Sequence, residues 1–407
     1  MRYDILLNKK IRNDLKDLAE KMQVRETRPL LKPEDRNNIS RALAFFRHTT
    51  GYRDFTVAGI DGTGDYPAIA YEDSFVYFTL AQGTIYRTDP LCGLREEGPE
   101  PDPVTGFALI PEDENDRRNM LLDAFEDLAG ISIDEAIQRS DYKKLKQNQT
   151  GDTPSISFLR NQLLCPHASD SSNLGIQFRS TGELSAALRI LQGEITVKYL
   201  LTDGTMSLPF VSRKGISLFF EHLKRLCCVA AREKGTGFFT LSKSHGIPSA
   251  DLVEEIASEK AGLTPKEKAE HWYLRFPEKG LDKWSLPLSE GRMIPPAGAI
   301  SYLVRFHGNN TPLYRLDMDR DFWEEHIRGR TPEETVKRET EVFEDLDYTA
   351  HEQRCYGYPY PIKAAHDRAS LTEGERTALR RQIIDAAAAA GMKRSLFRDV
   401  SIMTGHK

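Results

Sequence analysis

The sequence predicts an α/β fold: a mixed-sheet core with flanking helices, a helical N-terminal segment and an insertion. Three observations carry that expectation. Helical spacing gives way to short alternating segments near residue 50. Strand-like and helix-like stretches then alternate from about 180 to 260. Two apolar runs, "FTVAGIDGTGDYPAIA" (55–70) and "VKYLLTDGTMSLPF" (197–210), both reach Asp-Gly-Thr before a second apolar run. Over 407 residues, 39% hydrophobic content suffices for a large core, and 29% charged residues with a mean hydropathy of −0.51 indicate a solvated surface. No run approaches the roughly 18–20 apolar residues that span a bilayer. Charges interrupt the only apolar triplet of "MRYDILLNKKIRNDL", so a cytoplasmic protein without membrane attachment is expected. Five cysteines, an odd number with no CxxC pair, do not suggest a disulfide framework. The net charge of −5 does not announce a nucleic-acid binder, yet global acidity leaves room for a local basic groove.

Taken in order, residues 1–50 form a helical segment: Ile11, Leu15, Leu18 and Met22 fall at helical spacing, and Pro33 stands where a second helix can begin. "FTVAGIDG", "PAIAYED", "SFVYFTLAQG" and "TIYRTDP" are short, rich in β-branched and aromatic residues and bounded by Gly, Pro, Asp or Ser, which predicts a β-meander. Residues 98–178 are read as an insertion, loop-like and acidic at first, with a helical pattern over 116–139. The core resumes at 179. A short helix over 180–193 ends at Gly193 and leads into the strand "EITVKYLLTDGT". A helix (214–234), the strand "GFFTLSKS" and a helix near 249–260 follow. "FFEHLKRLCCVAA" reads as amphipathic helix, so Cys227 and Cys228 are expected to be buried free thiols. "AISYLVRFHGNNTPLYRLDMD" is a hairpin. The core, 51–97 with 179–370, then gives way to a C-terminal helical extension (371–407), whose alanine run ends at Gly391.

Asp-Gly is a favoured hairpin turn and explains either Asp-Gly-Thr taken singly. The pair says more. Asp61 and Asp203 both follow unusually apolar runs, as central strands do, and two such strand ends side by side would bring two carboxylates to one edge of a sheet. Carboxylates forced together repel unless a divalent cation neutralises them. Oxygen ligands favour magnesium or manganese, and no His/Cys cluster with zinc spacing competes. Sugar-kinase and actin-like ATPases use such a turn against nucleotide phosphates; nucleases with a ribonuclease-H-like sheet use strand-end carboxylates to hold metal ions. The kinase reading wants a second glycine-rich loop, which "GAISYLVRFHGNN" does not supply. The nuclease reading wants a further acid near Asp203, and Glu183 is available on the preceding helix. Ser180-Thr181-Gly182-Glu183 also fits a capping box, an equally good explanation of that glutamate, and Glu194 falls at the wrong end of its strand. His245, His307 and His351 read as loop, hairpin tip and helix-or-loop residues. Tyr302 and Tyr314 read as sheet residues.

The segment "GYPYPIKAAHDRA" (357–369), with two Tyr-Pro steps before a helix that carries His366, completes a pattern. The order strand-Asp-Gly, helix with Glu, strand-Asp-Gly and Gly-Tyr-Pro-Tyr-Pro-Ile-x-x-Ala-His resembles the NurA nuclease family, over roughly 50–65, 180–245 and 300–370. The resemblance implies a ribonuclease-H-like fold and a manganese- or magnesium-dependent deoxyribonuclease, exo- or endonucleolytic, in DNA end processing or defence. It also implies a homodimer, DNA as substrate and a HerA-type hexameric ATPase as partner. By the same resemblance Asp61, Glu183, Asp203 and His366 are metal ligands and catalytic residues, Tyr358 is a catalytic residue, and Lys243 in "FFTLSKSHG" contacts substrate phosphate. Hydrolysis would then proceed by in-line attack of water with no covalent enzyme intermediate. A non-catalytic adaptor that docks on an ATPase, and an actin- or sugar-kinase-like ATP-binding protein, are the alternatives.

Overall fold

The computed structural model describes residues 9–25, 33–48, 51–111, 114–142, 155–157, 171–204, 206, 221–244, 247, 250–264, 267–276, 299–308 and 312–398. Helices α1 (Lys9–Arg25) and α2 (Pro33–Ala42) precede strand β1 (Leu43–Phe45). Strands β2 (Thr56–Thr63), β3 (Ile69–Tyr71), β4 (Ser74–Asp89), β5 (Gly93–Glu96) and β6 (Val104–Pro111) follow. Helices α3 (Glu114–Ala129), α4 (Ile133–Arg139) and α5 (Ser171–Gln192) lead to β7 (Tyr199–Asp203), α6 (Glu221–Glu233), β8 (Gly237–Ser242) and α7 (Ala250–Lys260). The C-terminal part holds β9 (Trp272–Arg275), β10 (Ala299–Arg305), β11 (Tyr314–Asp319), α8 (Pro332–Ala350), the short pair β12 (His351–Glu352) and β13 (Cys355–Tyr356), α9 (Tyr360–Ala369), α10 (Glu373–Ala389) and β14 (Phe397–Arg398). No helix among the described residues is long and apolar enough to cross a membrane.

Two compact units share the chain. The smaller is Met1–Leu43 with Gly246–Ala269. In it Lys260 donates to the carbonyls of Ser40 (2.6 Å) and Leu43 (2.9 Å), so α7 is tied to the end of α2, and Arg36 pairs with Glu259.

The larger unit, Ala44–His245 with Glu270–Lys407, is built on one mixed sheet. Its order is β1-β9-β10-β11-β8-β7-β2-β4-β3-β14, with β5 and β6 also paired to β4. β6, β4 and β2 run antiparallel in turn, and β7 and then β8 lie parallel to β2 on its other side. This five-strand order, a meander whose first strand is continued by two parallel strands, is that of a ribonuclease-H-like core. β7 and β8 are buried along almost their whole length because helices cover both faces, which is why they read as unbroken apolar runs. On one face Ala58, Ile60 and Leu200 pack with Phe125 of α3, Leu184 and Leu188 of α5, and Leu223 and Cys227 of α6. On the other, Val57, Tyr199, Leu201 and Phe239 pack with Phe343 of α8 and Ile362 of α9. Cys227 and Cys228 are free and buried, as expected, and Tyr302 and Tyr314 are buried sheet residues.

Several local expectations differ from the structure for physical reasons. The first Asp-Gly-Thr is not a turn: Asp61, Gly62 and Thr63 continue β2, paired to Gln82, Ala81 and Leu80 of β4. Only the second ends its strand, at Asp203, with Gly204 at φ +126°. Gly83 does not separate two strands but lies inside β4, where a Cβ would come within 2.6 Å of the Ile190 side chain of α5. The acidic, proline-rich stretch after residue 98 contains β6, whose eight residues pair with β4. The helical pattern over 116–139 is two helices, parted at Gly130 with φ +69°. The hairpin of β10 and β11 forms in register from Ala299↔Asp319 to Val304↔Tyr314, while its tip at 309–311 and His245 lie outside the described residues.

Candidate active site

The period-2 alternation of the sheet decides which side chains can meet. In β2 Val57, Gly59 and Asp61 face the layer of α8 and α9; in β7 Tyr199, Leu201 and Asp203 face the same way. β2 and β7 are parallel with Ile60 opposite Thr202, so the next residues, Asp61 and Asp203, are neighbours at one end of adjoining strands. Lys243, just beyond β8, reaches toward the same point with its Nζ 4.0 Å from Asp203 Oδ2.

Helix α9 crosses this end of the sheet. Thr84 of β4 donates its hydroxyl to the Pro361 carbonyl at 2.8 Å, and Gly59 leaves room for that backbone. His366, on the second turn of α9, is thereby set with Nδ1 2.7 Å from Asp61 Oδ2. Its Nε2 lies 3.3 Å from the Ser370 hydroxyl. Tyr358, just before the helix, is 5% exposed, and its ring lies 4.0 Å under Lys243 Nζ. Its hydroxyl is buried and has no hydrogen-bond partner. Burial first, then the charges of Asp203 and Asp61, hold that phenol well above its ordinary pKa, so it remains a donor.

Glu183 comes from the opposite layer. Helix α5 begins at Ser171, nine residues before the predicted start, so Glu183 is interior to it. Thr181 Oγ1 donates back to Gln177 O, and the capping-box explanation fails. Glu183 reaches round the sheet past Gly62: a Cβ there would meet Glu183 Cγ at 3.0 Å. Its carboxyl, 6% exposed, is pushed up to about 8 by burial, against the Arg179 guanidinium and with the Asp61, Asp203 and Asp65 charges. Asp203 is also raised, by burial and the Asp61 charge, with Lys243 opposing. Arg179 was not singled out in the sequence. Its Nε lies 3.3 Å from Glu183 Oε1 and its Nη1 2.5 Å from Asp65 Oδ1, which makes it the internal counter-ion of the acids. The i,i+4 spacing of Arg179 and Glu183 was the available signal.

Asp61, Glu183, Asp203, His366, Tyr358 and Lys243, all selected from the sequence, thus lie together. A hard divalent cation fits them on three counts: several carboxylates share one site, burial and the Asp61, Asp203 and Asp65 charges raise Glu183 despite Arg179, and the buried Tyr358 hydroxyl, which feels the Asp203 and Asp61 charges, has no hydrogen-bond partner.

The raised Glu183 pKa has a testable consequence. The folded, metal-free chain holds a proton on Glu183 that the unfolded chain releases above about pH 4.5. Stability is therefore lost as pH rises from about 4.5 to about 8. Glu183→Gln is expected to flatten that decline and to raise the metal-free Tm at pH 8 by a few degrees, about 2–3 kcal/mol. Thermal melts of both proteins in EDTA from pH 5 to 8 measure it; parallel declines would show that Glu183 is not the group responsible.

The fold and site define an α/β chain with a carboxylate-rich centre at the end of a ribonuclease-H-like sheet. Among solved structures it is similar to the NurA nuclease from Sulfolobus solfataricus, at 14% identity and a TM-score of 0.45, over 95% of this chain and 99% of that one. It is also similar to NurA bound to dAMP and manganese, at 14% identity and a TM-score of 0.38, over 96% and 99%. No protein-family model matches the chain, and no curated protein matches it significantly. With both TM-scores below 0.5, the functional reading rests on the geometry of the site.

Proposed function

We propose that this chain is a metal-dependent nuclease that hydrolyses phosphodiester bonds in DNA. One observation carries the reading: Asp61, Glu183, Asp203 and His366, drawn from four separate elements, are folded into one partly open group beside a basic residue and a buried phenol. Asp61, Glu183 and Asp203, with His366, would hold manganese or magnesium, the cations that oxygen-rich ligand sets prefer. An ion bound there would supply a Lewis acid that polarises the phosphodiester and lowers the pKa of a water molecule.

The chain's own groups supply the rest. Asp61 orients the His366 ring by accepting a hydrogen bond from Nδ1–H, which leaves on Nε2 the one lone pair that would either bind the ion or take a proton from attacking water. Tyr358, kept protonated, donates to a phosphate oxygen that enters the group. Lys243, half exposed at the rim, offers a point charge to the DNA backbone. Lys243→Ala is expected to weaken DNA binding about tenfold and to lower the salt slope by about one, independent of sequence. Titrations at several salt concentrations measure this; an unchanged slope would remove Lys243 from the phosphate path.

By its sequence resemblance the nuclease acts in DNA end processing or defence in the cytoplasm, as a homodimer with a HerA-type hexameric ATPase. The direct test is cleavage of end-labelled single- and double-stranded DNA with manganese, magnesium or EDTA, for wild type and Asp203→Ala, with and without the neighbouring ATPase. Metal-dependent cutting lost in the variant is expected. Wild type that cuts under none of these conditions would make the chain a docking adaptor instead.

A further inference from the structure

A second group of ligating side chains lies apart from the acidic centre. His48, which follows β1, His271 at the start of β9, and Asp347 and His351 at the end of α8 each offer one ligand atom, all within 4.8 Å of one another. Asp347 is fully buried. His48 Nδ1 is 2.9 Å from Asp347 Oδ2, His351 Nδ1 is 2.9 Å from Asp347 Oδ1, and His271 Nε2 is 3.5 Å from the same Oδ1. The three rings converge, with centroids 4.2 Å apart for His48 and His351, 5.2 Å for His48 and His271, and 5.4 Å for His271 and His351.

Hydrogen bonding alone leaves this group incomplete. Two imidazoles approach the carboxylate at hydrogen-bond distance, but His271 Nε2, buried from solvent, makes no hydrogen bond. Three rings so close repel if all are cationic, and each neutral ring keeps one lone pair. Three imidazole nitrogens and a buried carboxylate oxygen within 4.8 Å of one another form a donor set that a Lewis acid can gather by displacing the Nδ1 protons that His48 and His351 now turn to Asp347. The sequence showed no zinc spacing because only Asp347, in α8, and His351, which caps that helix at i,i+4, are close in the chain; the others are joined by the sheet.

We propose that His48, His271, Asp347 and His351 form a transition-metal site of the zinc class. A majority of imidazole ligands selects zinc, cobalt or nickel over the magnesium or manganese that the acidic centre prefers. Four protein ligands make it a closed, structural site, with bonds of about 2.0–2.1 Å reached by side-chain rotation. It has a place from which to act. The end of α8 continues into β12 and β13 and then into Tyr358 and α9, and Gly357 N donates to Ala350 O at 2.6 Å across that hairpin. The ion clasps the root of the segment that carries Tyr358 and His366. This site is independent of the nuclease reading and stands or falls without it.

The test is metal content and melting of untagged full-length protein, beginning with Asp61→Ala/Asp203→Ala, which empties the acidic centre. That variant is expected to retain about one equivalent of zinc, or to take up about one of cobalt with a visible ligand-field spectrum, after EDTA treatment. Its Tm should rise as zinc is restored, saturating at that stoichiometry. His271→Ala and Asp347→Asn should lose uptake and the Tm response. His48→Ala, which alters the most exposed ligand, keeps the test valid if the buried variants fail to fold: it should bind zinc at least tenfold more weakly. A chain that takes up no zinc or cobalt and shows no shift in Tm, or a His48→Ala variant that binds as tightly as its parent, would leave only a hydrogen-bonded histidine cluster.

Discussion

Asp61→Asn and Asp203→Asn are each expected to lower DNA cleavage by about a thousandfold while leaving the metal-free fold as stable or more so. The two halves of that result come from one cause. Asn keeps the size of Asp and an acceptor oxygen, so Asp61→Asn can still hold His366 Nδ1, now 2.7 Å from Asp61 Oδ2. What disappears is a negative charge from a group in which Asp61 and Asp203 both push the Glu183 carboxyl up. Without a cation, losing that charge relieves repulsion; with one, it removes a ligand. A residue that only supports the fold would show the opposite pairing, lower stability with partial activity. Cleavage rates in manganese and melts in EDTA separate the cases. Retention of more than about a tenth of the wild-type rate by either variant, well outside the effect of losing a metal ligand, would exclude that carboxylate from the centre.

What could be read from the sequence follows from how local each signal is. The paired aspartates were legible because a central parallel strand advertises itself as an apolar run, and two runs ending alike imply neighbouring strand ends. Their chain setting was less so: Asp-Gly-Thr at 61–63 has turn chemistry, yet eight registered pairs between β2 and β4 hold it extended. Gly83 reads as punctuation, but its function is to admit Ile190 of α5, a contact made by a residue more than a hundred positions away. β6 is masked by acidic and proline-rich flanks, although its own residues, Val104 to Pro111, are strand-forming once β4 is there to pair with. Glu183 was found for a reason shared with a capping box, and only the length of α5 separates the two readings. The histidine–aspartate group was invisible because His48 and His271 are brought to Asp347 and His351 only by the topology of the sheet. His351, given no role from its local context, belongs to the group.

Gly59→Ala is expected to cost about 3–5 kcal/mol with loss of cleavage. The reason is geometric. An added Cβ would lie 2.1 Å from the carbonyl carbon of Pro361, 2.3 Å from its oxygen and 2.4 Å from Ile362 N. These are backbone atoms of the first turn of α9, so no rotamer can relieve the overlap. β2 cannot retreat either, being paired to β4 on one side and β7 on the other. The helix must lift, losing the Thr84 hydrogen bond to Pro361 and the burial of Ile362 against the sheet. Because His366 is on the same helix, lifting also parts it from Asp61. Glycine at 59 and the Tyr-Pro-Tyr-Pro segment are therefore two halves of one contact, by which the last helix of the core delivers its histidine to the first strand's aspartate. Unfolding in denaturant together with cleavage assays measures both effects. A variant that melts within about 1 kcal/mol of wild type and still cuts DNA would mean that α9 does not dock on β2 through this contact.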